Sequence, residues 1–236
     1  MDDEPVFKSD ELIMDTVVKE RLDNAKKVLG IDFPIPKVAI KRIDEDFIAR
    51  TDILSDGSFQ ASLGNGSDQY DPERRIGMVV HEVAHIAMWG LTGEVLQPAT
   101  HLVDEGWAKL IEMASTKITV EEIQQEIAGE LNTLKTQRPD IYERCSRFDK
   151  AVADEEIPNL PDGMTVGTAL VFWIKENYGN EAMVRLLKES PYQIKWTGEP
   201  GKTTDEQLAK ILTSITGIPD IGGMRDKMEG WYGVKG

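Results

Sequence analysis

Two of the three histidines in this 236-residue chain stand four apart in one pentapeptide, His81-Glu82-Val83-Ala84-His85. Residues at that spacing on an α-helix lie about 40° apart around the axis and about 6 Å apart along it. Two imidazoles can therefore converge on one tetrahedral ion, and the ion that this pattern calls for is Zn2+. Glu82 is turned by about 100° from His81, too far to be a ligand but well placed beside a water on the metal. Zinc lowers the pKa of such a water toward ~7, and a neighbouring carboxylate can take its proton. Val83 and Ala84 between the histidines suit a buried helix, and Gly77, one turn earlier on the same stripe, removes bulk beside the expected site. The competing reading, two histidines that happen to be neighbours on an amphipathic helix, is weakened by how few histidines the chain has.

A catalytic zinc takes three protein ligands and keeps one position open. The third histidine, His101, opens the segment HLVDEGWAKL, which also carries Asp104 and Glu105. All three are within reach as the missing ligand. Glu105 is favoured, because Gly106 beside it should let this second helix approach the first closely at the ligand itself. Without the paired histidines nearby, Glu105 would read as a solvated helix carboxylate. Asp104 better suits a supporting role, accepting a hydrogen bond from an imidazole N–H. Cys145 reads as a buried small side chain, with no histidine left over to activate it.

These residues need elements to hold them. Asp71 is a good N-cap and Pro72 fits the first helical position, so a helix is expected to begin there, carry His81 and His85, and end near Gly90. Thr100 is placed to cap a second helix that carries Glu105. Upstream, residues 11–30 repeat apolar positions at helical spacing and stop at Gly30, while PIPKVAIKRI reads as a short strand. SFQASLGNG alternates and runs into a glycine turn, which suits an edge strand or a hairpin arm. Downstream the chain reads as almost wholly helical, with capping boxes at TVEE (119–122) and TTDE (203–206) and helix-ending glycines at 179 and 217. The plan is α+β, one domain over residues 1–236, with a helix-and-sheet part to about residue 95 and a helical part beyond.

Composition narrows the partners. A formal net charge of −15 argues against nucleic acid and against an anionic membrane surface. The longest apolar runs, such as TALVFWI, are too short to span a bilayer. One cysteine excludes an internal disulfide. The first residues, MDDEPVFKSDEL, have neither the basic nor the apolar region of a signal peptide. A soluble protein is expected; a secreted or periplasmic one would follow if a targeting segment had been removed, and the oligomeric state is not legible.

HEVAH, followed after nineteen residues by Glu105 within DEGWA, resembles the gluzincin (peptidase MA-like) metallopeptidases, whose second motif is similar to EGxA. The stretches GTALVFWIKENYGNEAMVRLLKES and ILTSITGIPDIGGMRDKMEGWY resemble the helices that close such domains. The metzincin pattern does not apply, since Met88 and Leu91 stand where it requires glycine and histidine. The resemblance implies a zincin-like fold, with a small twisted sheet above the HExxH helix, a helical lower half and a cleft between them. It implies zinc held by His81, His85 and Glu105, with Glu82 as general base and acid, and a peptide or protein as substrate. In that fold the segment Phe59–Leu63 would be the edge strand that pairs with an extended peptide. The chain departs from the family at two points. Position 109, often acidic in thermolysin-like enzymes, is Lys109, and no histidine follows His101 to stabilise an oxyanion. Tyr142, Tyr178, Tyr192 and Tyr232 are the available phenols, and relatives with a tyrosine in the helix before the YG break contrast with Met164 and Thr168 here. The alternative function is therefore a catalytically inactive binding module that keeps the zinc or only the cleft.

Overall fold

In the computed structural model the described residues are 5–35, 37–92, 101–146, 161–190 and 205–234. The helix that carries the paired histidines, α2 (Pro72–Thr92), starts where Asp71 accepts a hydrogen bond from the Arg74 amide at 2.9 Å. It runs through Gly90 rather than stopping there. Its buried stripe of Val79, Val80, Val83, Ala84, Ala87 and Met88 faces the core. Before it come α1 (Pro5–Leu29), β1 (Val38–Arg42), β2 (Ala49–Ile53) and β3 (Phe59–Leu63), with a turn of 3-10 helix at Asn65–Gln69. After it come α3 (His101–Ala114), α4 (Val120–Gln137), α5 (Pro139–Cys145), α6 (Pro161–Tyr178), α7 (Asn180–Glu189), α8 (Asp205–Thr216) and α9 (Ile221–Tyr232). The architecture is α+β, a small mixed sheet beside a mostly helical remainder.

The strand order is β1-β3-β2, with β3 parallel to β1 and antiparallel to β2. This corrects the edge-strand expectation for Phe59–Leu63: that strand is the centre of the sheet, and both of its edges are used. The alternation misled because Gln60 and Ser62 are polar yet only 7 % and 1 % exposed, bonded to each other at 2.8 Å. Arg50 and Asp52 of the neighbouring strand pair with each other at 3.0 Å and are partly buried themselves. The strand not foreseen, β2, has no apolar rhythm, and none of its residues is fully buried. It forms one arm of a hairpin with β3 and, among the described residues, leaves its outer edge unpaired.

Helix α3 is the central post, packed against α2 on one side and α6 on another. Trp107 is fully buried, meets Phe33 edge-on at 5.6 Å between ring centroids, and donates from its indole N–H to the Ala84 carbonyl at 2.9 Å. That bond ties α3 to α2 inside the HEVAH segment, so burial of a large aromatic and the satisfaction of its one donor coincide. Gly106 approaches α6 rather than α2. A Cβ there would stand 2.3 Å from the Gly167 carbonyl carbon, and one at Gly167 would stand 2.1 Å from the Leu102 carbonyl oxygen. The glycine beside Glu105 therefore admits a different helix from the one expected, and it braces α3 from behind. The capping box at Thr119 and Glu122 is formed; Thr100 and the 203–204 part of the second box lie outside the described residues. Buried side chains from Val18 to Tyr232 make up one connected core. Among the described residues, no helix is long and apolar enough to cross a membrane.

Candidate metal centre

His81 and His85 rise from adjacent turns of α2 with ring centroids 4.9 Å apart. Glu105, from the second turn of α3, comes between their outer nitrogens: its Oε2 is 3.1 Å from His81 Nε2 and its Oε1 is 3.9 Å from His85 Nε2. One ligand atom from each of these three residues lies within 4.8 Å of the others, a spacing that could hold a metal ion. All three side chains are largely buried, at 10 %, 12 % and 19 % exposure. His101 is the first residue of α3, and its side chain is outside the described set.

The inner nitrogens are also committed. Asp104 Oδ1 lies 2.7 Å from His85 Nδ1, and Glu112 Oε2 lies 3.4 Å from His81 Nδ1. An ionised carboxylate can only accept, so each Nδ1 carries its hydrogen. With an ion in place, the carboxylates behind the rings favour the tautomer in which Nδ1 keeps its hydrogen and Nε2, which faces Glu105, is the coordinating atom. The donor set of two imidazoles and one carboxylate, with a further carboxylate behind each ring, could hold a metal ion.

Without an ion each imidazole stands among carboxylates, and the electrostatics follow. Burial pushes the His85 imidazole toward neutrality, but the charge and hydrogen bond of Asp104, with Glu105 and Glu82 nearby, outweigh it and raise its pKa to about 10. For His81 burial again opposes protonation, and hydrogen bonds to Glu105 and Glu112 overcome it, so its pKa is raised too. Glu112 is held below the usual carboxylate range, burial being outweighed by the bond from His81 and the charge of Lys109. A proton on Nε2 and a cation compete for the same lone pair.

Glu82 sits on the sheet side. The Thr51 hydroxyl of β2 lies 2.9 Å from Glu82 Oε2 and 2.9 Å from the Glu82 carbonyl, and its single hydrogen is shared between them. The side chain of Glu82 is thus tied to β2 rather than left among the ligands. Thr51 and Glu112 were not singled out from sequence. The strand that carries Thr51 has no pattern to reveal it, and Glu112 lies seven residues past Glu105, outside any local motif. A signal for Glu112 did exist: it is two helical turns from Glu105 and so on the same face. The phenols lie elsewhere. Tyr142 donates to Glu229 and Tyr232 to the Ala169 carbonyl, each at 2.9 Å, and Tyr178 packs on Trp173. Thr168 donates to the Met164 carbonyl at 2.7 Å, and Tyr192 is outside the described residues.

Compared with known proteins, the chain matches no family model, no curated protein and no solved structure.

Proposed function

We propose that the chain is a zinc-dependent peptidase of gluzincin type, with a zincin-like fold, in which His81, His85 and Glu105 hold the metal. The observation that carries this reading is the meeting of three such donors, both imidazole Nδ1 atoms being held by further carboxylates, with Glu82 set apart from them on the sheet side. The HEVAH and DEGWA motifs resemble that family independently of the geometry. Zinc bound there supplies a Lewis acid that makes water a nucleophile near neutral pH. The chain's own residues do the rest. Glu82 takes a proton from the attacking water at its carboxylate and returns it to the departing amine nitrogen. Thr51 steadies that carboxylate by its hydrogen bond, and Asp104 and Glu112 keep the imidazoles in the coordinating tautomer.

The substrate is a peptide or an unfolded protein segment. With Phe59–Leu63 in the centre of the sheet, the strand suited to receive it is β2, whose outer edge is unpaired among the described residues and which carries Glu82's partner Thr51. An extended peptide adding to that edge would bring its backbone past Glu82.

Glu82→Gln keeps the shape and loses the base. The variant is expected to retain folding and metal while peptide hydrolysis, read on a mixed peptide library, falls at least ~10²-fold. Hydrolysis at the wild-type rate would exclude Glu82 as the base. A second reading, a binding module with the metal but without catalysis, is favoured by one observation: the phenols of Tyr142 and Tyr232 are committed to structural bonds and cannot serve an oxyanion. Zinc-loaded wild type that cleaves nothing in the library would establish it.

A further inference from the structure

Glu112 reaches His81 with one oxygen and is gripped by the other. Its Oε2 faces His81 Nδ1 at 3.4 Å. Its Oε1 accepts from Arg74 Nη1 at 2.8 Å and has Lys109 Nζ at 3.5 Å. Arg74 lies in the first turn of α2, two turns before His81, and Gly77 between them leaves the space: a Cβ there would stand 3.3 Å from Glu112 Oε1. A glutamate has several rotamers, and a contact of 3.4 Å to Nδ1 is too long to select one unaided. The shorter, charge-assisted bond from the planar guanidinium is the one that can.

We propose that Arg74 is a positioning residue of the metal centre, a proposal that rests on His81 being a ligand. Arg74 holds Glu112 in the orientation in which Oε2 retains the hydrogen on His81 Nδ1 and leaves the Nε2 lone pair for the cation. Lys109 joins Arg74 in holding the carboxylate that Glu112 brings from farther along α3. The centre is then supported through a chain of contacts, Arg74 to Glu112 to His81, that crosses from α2 to α3 and back.

A purely electrostatic role for Arg74 makes the opposite prediction. A guanidinium close to a cation site repels the incoming ion, so its removal would tighten binding. With the Arg74 side chain 50 % exposed, solvent screens that repulsion, and orientation dominates. The sign of the change separates the two roles.

The experiment is zinc affinity of the full chain, by chelator competition at fixed pH and ionic strength. The variants are Arg74→Gln, Arg74→Lys, Glu112→Gln and the Arg74→Gln/Glu112→Gln double. Arg21→Gln is the control, because it breaks the neighbouring ion pair to Glu73 without touching Glu112. Absorption of the cobalt-loaded protein reports ligand geometry as well. Arg74→Gln is expected to weaken zinc binding ~10-fold and shift the cobalt spectrum. Arg74→Lys should recover part of the loss, the double variant should bind no worse than Glu112→Gln, and Arg21→Gln should match wild type. Zinc binding by Arg74→Gln that equals or exceeds wild type would overturn the proposal and leave the metal reading standing. So would a loss that adds undiminished to that of Glu112→Gln. Wild-type protein that takes up no zinc would overturn both.

Discussion

At His85 the competition between proton and metal can be read from the surroundings. Asp104 and its neighbours raise this imidazole from an ordinary 6.5 to about 10, so at neutral pH the metal-free protein holds a proton there. The sign follows from linkage: a group whose pKa is raised on folding adds stability that is complete below its unfolded value and is lost as pH climbs through the folded one. Metal-free protein should therefore lose stability between about pH 6.5 and 10, measured by urea melts in the presence of a chelator, and His85→Ala should flatten that decline. Over the same window zinc binding should tighten, because the ion no longer displaces a proton. Constant metal-free stability from pH 6.5 to 10 would mean that the imidazole is neutral throughout. The meeting of the three side chains was legible at this scale, because His81 and His85 are four apart in one helix and Glu105 sits in a compact second motif. Thr51 was not, because it joins the cluster by a contact across elements that no spacing along the chain announces; Glu112 had only its place two turns beyond Glu105 on the same helix face to mark it.

Among the elements, the contact of α3 with α6 sets where Glu105 stands. Gly106 and Gly167 meet backbone to backbone, and neither has room for a methyl group. Gly167→Ala should cost about 1–3 kcal/mol, since its Cβ would lie 2.1 Å from a backbone oxygen that cannot move alone. Gly129→Ala in α4, where nothing lies within 4 Å of the added carbon, should instead stabilise by about 0.5–1 kcal/mol. Denaturant midpoints of the two variants check both signs, and equal effects would deny the close approach. Helix starts were well marked in the sequence where a side chain makes the cap, as at Asp71 and Thr119. Sheet order was not. Gln60 and Ser62 look like a solvent-facing row, but long neighbours and their mutual hydrogen bond bury them in a central strand. The segment Ala49–Ile53, with Arg50, Thr51 and Asp52 in a row, carries no strand signal that periodicity can detect.

For the whole molecule, the α+β plan followed from the order of apolar patterns, whereas the position of α6 against α3 depends on a pairing of glycines sixty-one residues apart. A metal held between α2 and α3 would clamp two central helices, so it should stabilise the entire fold by mass action. Free zinc at about a thousand times its Kd is worth about 4 kcal/mol, or roughly ten degrees in Tm for a chain of this size. Thermal unfolding with zinc and with chelator measures the difference, and identical Tm values would mean that the native state binds no metal.

The central claim is that His81, His85 and Glu105 together hold one ion, and elemental analysis of the purified chain and its alanine variants tests it most directly. Wild type is expected to carry about one zinc per chain. His81→Ala and His85→Ala should each lose most of it, Glu105→Ala should weaken retention under chelator challenge, and His101→Ala should leave it nearly intact. Wild-type protein without zinc after purification and zinc reconstitution, or full retention in both histidine variants, would contradict the account.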